Sequence, residues 1–469
     1  MLSMKRRGAA RLAAAVVASG LVAAGAIATA GTAAADETTP THGGATATLG
    51  GLKTFDQAVV HNDGGDQRVG AGLFEMAVDN GGTLQTYCID IHNPTQQQAK
   101  YQEVPWSASS LHNNGDAGKI RWILQNSYPQ VNDLAALASK AGAGNLTEKT
   151  AAAGTQVAIW RFSDHAKVDA VDPAAEKLAD YLEKSAQNVG EPKASLTLDP
   201  PAVSGKSGGK LGPVTVHTNA DSVTIAPGAG AAAGVKVVGK DGKAVTSAAD
   251  GTQLFFDVPK GAADGSTSLT AQAATKVPVG RAFTGIGVHA KSQTQILAGS
   301  SESTVSAAAT ASWKKQGAIP AITAEKNCAK GGVDVTATNK GDEAFRFQLS
   351  GKDFEIAPGK SQTVTVPVAE DQPYNITIKG EGGFKKSFSG VLDCKTAGSG
   401  GGKPSTQPSP ASVGGSTGGS AGGDKGGDLA ETGSSNATPM IAGIAVVLVV
   451  VGGASVFFLR KKKTGTPAQ

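Results

Sequence analysis

A thiol and a carboxamide are the side chains of this sequence with the most chemistry to offer. The thiol is Cys88, in the run Thr86-Tyr87-Cys88-Ile89-Asp90. The chain has three cysteines, and in an exported protein an odd count leaves one over. Cys328 follows the linker-like Gly317-Ala318-Ile319-Pro320, and Cys394 immediately precedes a Gly/Ser-rich tail, so the two bracket one segment of alternating character. A disulfide between them closes a loop of about 67 residues and stabilises that segment by roughly 4 kcal/mol on the chain-entropy model. The alternative is two free thiols. With the pair made, Cys88 remains. An unpaired thiol outside the cell is a liability unless it is buried or used, and the plain reading is a buried apolar cysteine. The carboxamide is Gln156, in Thr155-Gln156-Val157-Ala158-Ile159-Trp160-Arg161-Phe162. The Ala-rich stretch around it reads as helix from about Glu148 to Asp164, which puts Gln156 and Trp160 on one face. His92, four residues after Cys88, invites a Cys–His nucleophile pair. Beside the turn-forming Asn93-Pro94 it reads as a loop residue instead. The seven histidines show no metal spacing and there is no CxxC, so neither a metal nor any other cofactor is expected.

Taken together, TYCID and TQVAIW resemble the Cys–Gln, or TQxA, thioester domain of Gram-positive surface proteins. The resemblance covers roughly Thr46 to Val189, and the paired motifs are more specific than either alone. It implies that the Cys88 sulfur attacks the Gln156 carboxamide, that ammonia leaves, and that an internal thioester remains. Such chemistry requires reacting atoms at about 3–3.5 Å and a site that excludes water. Tyr87, Trp106, Trp122, Trp160 and Phe162 are candidate walls, although aromatics in such positions serve equally well as ordinary core. The stored thioester would meet an amine, such as a lysine of a partner, and become an isopeptide bond at Gln156. The event happens once per molecule, so the expectation is a covalent attachment device and not an enzyme.

The ends of the chain carry targeting signals. Lys5, Arg6, Arg7 and Arg11 precede an apolar run from Leu12 to Ala28, and Ala33-Ala34-Ala35 supplies small residues before Asp36. This is the layout of a secretory signal peptide cleaved after Ala35. At the other end, Leu429-Ala430-Glu431-Thr432-Gly433 is followed by an uncharged apolar run from Met440 to Leu459 and then Arg460-Lys461-Lys462-Lys463. About 20 apolar residues span a bilayer core, and the basic cluster holds the cytoplasmic side. A simple one-pass anchor needs only the run and its flanks. The pentapeptide ahead of it resembles the LAxTG sorting signal of wall-anchored proteins. That resemblance implies sortase as a processing partner, cleavage after Thr432, transfer to a peptidoglycan amine, and a membrane span in the precursor alone. The four basic residues at each end are unaccompanied by acids, so their removal turns the formal charge from +4 to −4. No nucleic-acid partner is expected from such a balance.

These signals and composition shifts divide the chain into a signal peptide (1–35), a thioester domain (36–192), a β-sandwich domain (193–316), an Ig-like β domain (317–395), a Gly/Ser/Pro-rich linker (396–428) and the sorting signal with its transmembrane segment (429–469). Alternation from Phe55 to Tyr87 predicts strands. Helices are predicted over Asp116–Asn126, around Gln156, and from Asp172-Pro173 with Asp at the N-cap and Pro in the first turn, which makes the first domain α+β. Beyond Glu191-Pro192 short alternating runs at Ser195–Leu198, Val214–His217, Ser222–Ile225, Gln253–Phe256 and Phe283–His289 predict an antiparallel sandwich ending near Ser312. A smaller all-β domain follows, clearest at Val333–Thr338, Phe345–Leu349 and Thr363–Val366. The linker lacks core-forming residues and spans about 30 Å r.m.s.. The expected molecule is a multidomain, secreted, cell-wall-anchored adhesin of a Gram-positive surface, with its thioester head on an all-β stalk and an amine-bearing ligand as target. The competing readings are a non-covalent structural or ligand-binding wall protein, and a cysteine hydrolase or acyltransferase. The last lacks a His/Asn partner signature.

Overall fold

The computed structural model describes residues 43–394 apart from 229, 230 and 371. The predicted signal peptide, linker, sorting pentapeptide and membrane segment lie outside the described residues. Among the described residues no helix is long and apolar enough to cross a membrane.

Chain order begins with β1 (Thr46–Asn62), β2 (Gly65–Val78), β3 (Thr83–Cys88) and β4 (Lys100–Val104). The helices α1 (Ala117–Asn126), α2 (Leu134–Ala141) and α3 (Glu148–Ser163) follow, then β5 (Val168–Ala170) and α4 (Pro173–Ser185). Two of the predicted helices, α3 and α4, start at side-chain caps. Thr147 and Thr150 form a reciprocal capping box at the head of α3, and the Asp172 carboxylate accepts the N–H groups of Ala174 and Ala175 ahead of Pro173. The sequence reading missed α2, although Asp133 caps its start and Gly142, in the left-handed region at φ 57°, ends it.

The next strands are β6 (Leu196–Asp199), β7 (Ala202–Lys206), β8 (Lys210–Thr218), β9 (Val223–Pro227), β10 (Lys236–Val238), β11 (Ser247–Ala248), β12 (Gln253–Asp257) and β13 (Gly265–Lys276). After them come β14 (Ala282–Gly285), β15 (Gln295–Ser300) and β16 (Glu302–Lys314). The four-stranded sheet β10-β12-β8-β6 and the five-stranded sheet β11-β9-β13-β16-β7 make up the β-rich middle region. The predicted strand at Phe283–His289 does not belong there. β14 pairs with β4, and β15 pairs with β3, so both enter the first sheet, whose order is β2-β3-β15-β14-β4-β1-β5. A further pairing of β1 with β2 closes six of these strands into a ring. The sandwich strands β6–β13 are therefore an insertion between α4 and the last two strands of the first sheet. A boundary drawn at residue 192 separates what the sheet joins, because local alternation marks a strand without saying which edge it completes.

The crossing point is stapled by a buried ion pair. Arg281 Nε donates to Glu103 Oε1 at 2.9 Å, and the two side chains are 5% and 1% exposed. Glu103 also accepts the backbone N–H groups of Ser195 (2.9 Å) and Ala45 (3.1 Å), and Arg281 reaches Glu191 at 2.8 Å. One carboxylate thus ties β4 to the chain entering the insertion and the chain leaving it.

A third region contains β17 (Pro320–Asn327), β18 (Gly332–Asn339), β19 (Phe345–Leu349), β20 (Lys352–Ile356), β21 (Ser361–Pro367), β22 (Gln372–Gly380) and β23 (Lys385–Leu392). They form a three-stranded sheet β17-β18-β21 and a four-stranded sheet β20-β19-β22-β23 around a core that includes Phe345, Phe347 and Ile378. Cys328 and Cys394 are joined by a disulfide across 66 positions.

Candidate functional site

α3 is buried almost all the way round. Ala151 to Trp160 are all inaccessible or nearly so, an environment that suits a helix of small residues without a polar stripe. Gly154 shows why the residues are small: a Cβ there would stand 2.4 Å from the Ala175 carbonyl oxygen of α4. Close seating of α3 between α4 and the sheet brings Gln156 to the end of β3.

The Gln156 side chain lies directly against Cys88. The Cys88 backbone N–H donates to Gln156 Oε1 at 2.9 Å, and Gln156 Nε2 donates to the Cys88 carbonyl oxygen at 2.8 Å. Both residues are 0% exposed, and the thiol is free. The carboxamide is therefore fixed in rotation and register, with its oxygen on a backbone donor. That donor would stabilise negative charge on the oxygen if a nucleophile added to the carbon. The Asp90 N–H donates to the Cys88 sulfur at 3.2 Å. The Trp160 indole N–H is buried without a complete hydrogen bond and lies near enough to the sulfur to favour the thiolate.

Electrostatics oppose that thiolate. Burial, then the negative charges of Asp164 and Asp90, push the Cys88 thiol well above its ordinary range. Asp164 caps the end of α3. Its Oδ1 accepts the Ile91 N–H at 3.0 Å and its Oδ2 accepts the Ser163 hydroxyl at 2.6 Å. Burial, then Asp90, raises this carboxyl to about 7. Asn93 Nδ2 donates to Asp90 Oδ2 at 2.7 Å.

The start of β15 and the segment just before it supply residues that sequence reasoning missed. Gln295 is the register partner of Cys88, and Ser292, Gln293, Thr294 and Gln295 are all 0% exposed. Gln293 Nε2 donates to the carbonyls of Asp90 (2.8 Å) and Asn93 (3.0 Å), holding the turn after the thiol. Gln295 bridges Thr86 Oγ1 (3.0 Å) to Gln293 Oε1 (3.0 Å). Tyr101 donates to the Gln293 carbonyl at 2.8 Å and pairs with Ser292 Oγ at the same distance. Ser292-Gln293-Thr294-Gln295 is a polar run with no apolar pattern. Its only signal in the sequence is that four polar residues precede the apolar Ile296 and Leu297 of a strand.

Of the expected aromatic walls, Tyr87 and Trp160 are closed to solvent at 0% and 1% exposure. Trp106 is not part of this wall. It packs with Val104, Ala108 and Ala282 and donates from Nε1 to the Gly280 carbonyl at 2.8 Å. Trp122 and Phe162 are half-buried. His92 is exposed, and the hydrogen bond to the sulfur comes from backbone. Among the described residues no group of His, Cys, Asp and Glu is arranged to hold a metal.

Residues 85–188 match the family model of the thioester domain, a span that contains both Cys88 and Gln156. The chain carries a thioester domain. Residues 320–391 match the model of the C-terminal domain of bacterial phospholipase C. Among solved structures, the thioester-domain chain is similar to the Bacillus anthracis TIE protein, at 14% identity over 75% of this chain and 81% of that one, with a TM-score of 0.26. It is also similar to the thioester domain of the Enterococcus faecium TIE86 protein, at 17% identity over 60% of this chain and 100% of that one, with a TM-score of 0.26. Among curated proteins nothing matches.

Proposed function

We propose that this protein is a sortase-anchored surface adhesin that attaches covalently to amine groups of a target through a thioester between Cys88 and Gln156. The observation that carries the reading is the double hydrogen bond between the Gln156 carboxamide and the Cys88 backbone, inside a site closed to water. The Cys88 sulfur adds to the Gln156 carbon, the carbon–nitrogen bond breaks, and ammonia departs. Holding the pair in place replaces an improbable encounter with a unimolecular step, and the dry surroundings protect the product from hydrolysis. An incoming amine then takes the acyl group, the carbon–sulfur bond breaks, and the thiol returns. The device is spent in the act, so we propose no turnover.

The targeting signals support the setting. An export signal ahead of Asp36 and Leu429–Gly433 before an apolar run place the thioester head outside the cell. They tether it to peptidoglycan at Thr432 through sortase.

Intact-mass measurement of the secreted ectodomain tests the chemistry. The wild type should weigh one ammonia less than its sequence after allowance for the disulfide, and methylamine should add one amine at Gln156. Cys88→Ala should abolish both changes. A full-mass wild type with Cys88 open to alkylation after unfolding would rule the thioester out.

A further inference from the structure

Cys88 and Gln156 are both closed to solvent, yet the scheme above needs a foreign amine at the Gln156 carbon. Some part of the cover must move. Most of it is regular structure. β15 pairs with β3 up to Cys88, and α3 is buried between α4 and the sheet. On the other edge β2 pairs with β3 as far as Thr86, and beyond it the Gln156 carboxamide takes the Cys88 N–H and carbonyl itself. Opening any of these breaks a backbone ladder or the packing of α3. The chain that follows the sulfur is different. Residues 89–99, which lead from β3 to β4, contain no helix or strand. They reach the surface at His92, Gln97 and Gln98, and from His92 to Gln98 the only apolar side chain is Pro94. Such a segment has little buried apolar surface to hold it down, so it opens at low cost.

Two neighbouring residues fasten it. Gln293, itself 0% exposed, donates from Nε2 to the carbonyls of Asp90 (2.8 Å) and Asn93 (3.0 Å), and its Oε1 accepts from Gln295 Nε2 at 3.0 Å. Its backbone N–H donates to the Pro94 carbonyl at 3.2 Å. Ser292 Oγ accepts the Gln96 N–H at 2.9 Å. The root of the segment is fixed separately. There Ile89 N–H donates to the Thr294 carbonyl at 3.1 Å, Ser110 Oγ donates to the Ile89 carbonyl at 3.2 Å, and Asp164 accepts the Ile91 N–H at 3.0 Å. We propose that residues 89–99 are the door through which an amine reaches the thioester, and that Gln293, with Ser292, is its latch. This rests on the thioester reading above. With the latch made, neither water nor amine meets the acyl carbon, and the bond is kept until it is used. With it open, the amine nitrogen bonds to the Gln156 carbon, the carbon–sulfur bond breaks, and the amine proton passes to the Cys88 sulfur. Gln293 bonds to neither reacting side chain. It is a positioning residue that sets the fraction of molecules whose door is open.

Methylamine is the probe. Intact mass follows its addition at Gln156, and hydrogen exchange read by mass spectrometry follows the opening of residues 89–99 in the same protein. Gln293→Ala removes both side-chain bonds to the segment and should speed the two processes by the same factor, about 30-fold at roughly fivefold per buried bond. Ser292→Ala frees the Gln96 N–H, leaves Tyr101 bonded to the Gln293 carbonyl, and should speed both about fivefold. It decides the matter where Gln293→Ala fails to fold or to close its thioester. Thr218→Ala is the control. It removes a buried hydroxyl at the end of β8 that donates to the Ser195 carbonyl at 2.7 Å, so it should lower the thermal midpoint and change neither rate. Aminolysis at the wild-type rate in the latch variants would overturn the proposal, as would equal acceleration by Thr218→Ala. A wild type that has lost no ammonia would refute the thioester itself, a result separate from either of these.

Discussion

The Asp164 carboxyl makes the stability of the thioester domain depend on pH in a direction opposite to that of most carboxylates. Its ordinary value is 3.8, and burial with Asp90 beside it holds it near 7 in the folded protein. A raised value means that the folded state binds the proton more tightly than the unfolded chain. The contribution is complete below the unfolded value, and it is lost as pH rises through the folded value. Between pH 5 and pH 8, linkage with these two values removes about 3 kcal/mol. The experiment belongs in a Cys88→Ala background, where no covalent crosslink can form. Urea unfolding followed by tryptophan fluorescence at the two pH values gives the loss for Asp164 and for Asp164→Asn. With a slope of about 2–3 kcal/mol per molar urea, the midpoint of the Asp164 protein should fall by roughly 1 M more than that of the variant. Other groups titrate in both proteins and cancel. Equal midpoint losses would show that Asp164 is ionised in the folded state at both pH values, and the reasoning from its burial would be wrong.

Other consequences follow from single contacts. Arg281→Ala leaves Glu103 buried with an unpaired charge and should cost about 3–5 kcal/mol, visible as a lowered Tm. An unchanged Tm would mean that the staple between insertion and sheet is not under load. Gly154→Val drives a side chain into the Ala175 carbonyl and should cost about 1–3 kcal/mol while lowering the thioester fraction by intact mass, because α3 carries Gln156. Gln295→Ala strips Thr86 and Gln293 of a buried partner and should cost about 1–3 kcal/mol. Thermal unfolding checks this figure, and an unaltered midpoint would contradict the network. Replacing Cys328 and Cys394 by alanine should destabilise the third β region by about 4 kcal/mol and leave the ammonia loss at Gln156 intact. Limited proteolysis and intact mass separate the two outcomes.

Local pattern alone carried much of this protein. The cap at Asp172, the alternation of β18, β19 and β21, and the linker-like composition around 317–320 are all short-range signals, and they mark elements because capping and pleating are short-range physics. Cys88 and Gln156 were legible as a pair through two motifs 68 positions apart. What the motifs left unstated is decided by tertiary structure. That β14 and β15 close the first sheet after the insertion is a matter of which strand edge remains unpaired, and alternation is blind to that. The carboxyl state of Asp164 is equally invisible in sequence, since the same aspartate in water is an ordinary acid. Only its place in the fold, at the end of the helix bearing Gln156 and in the field of Asp90, raises it toward neutrality.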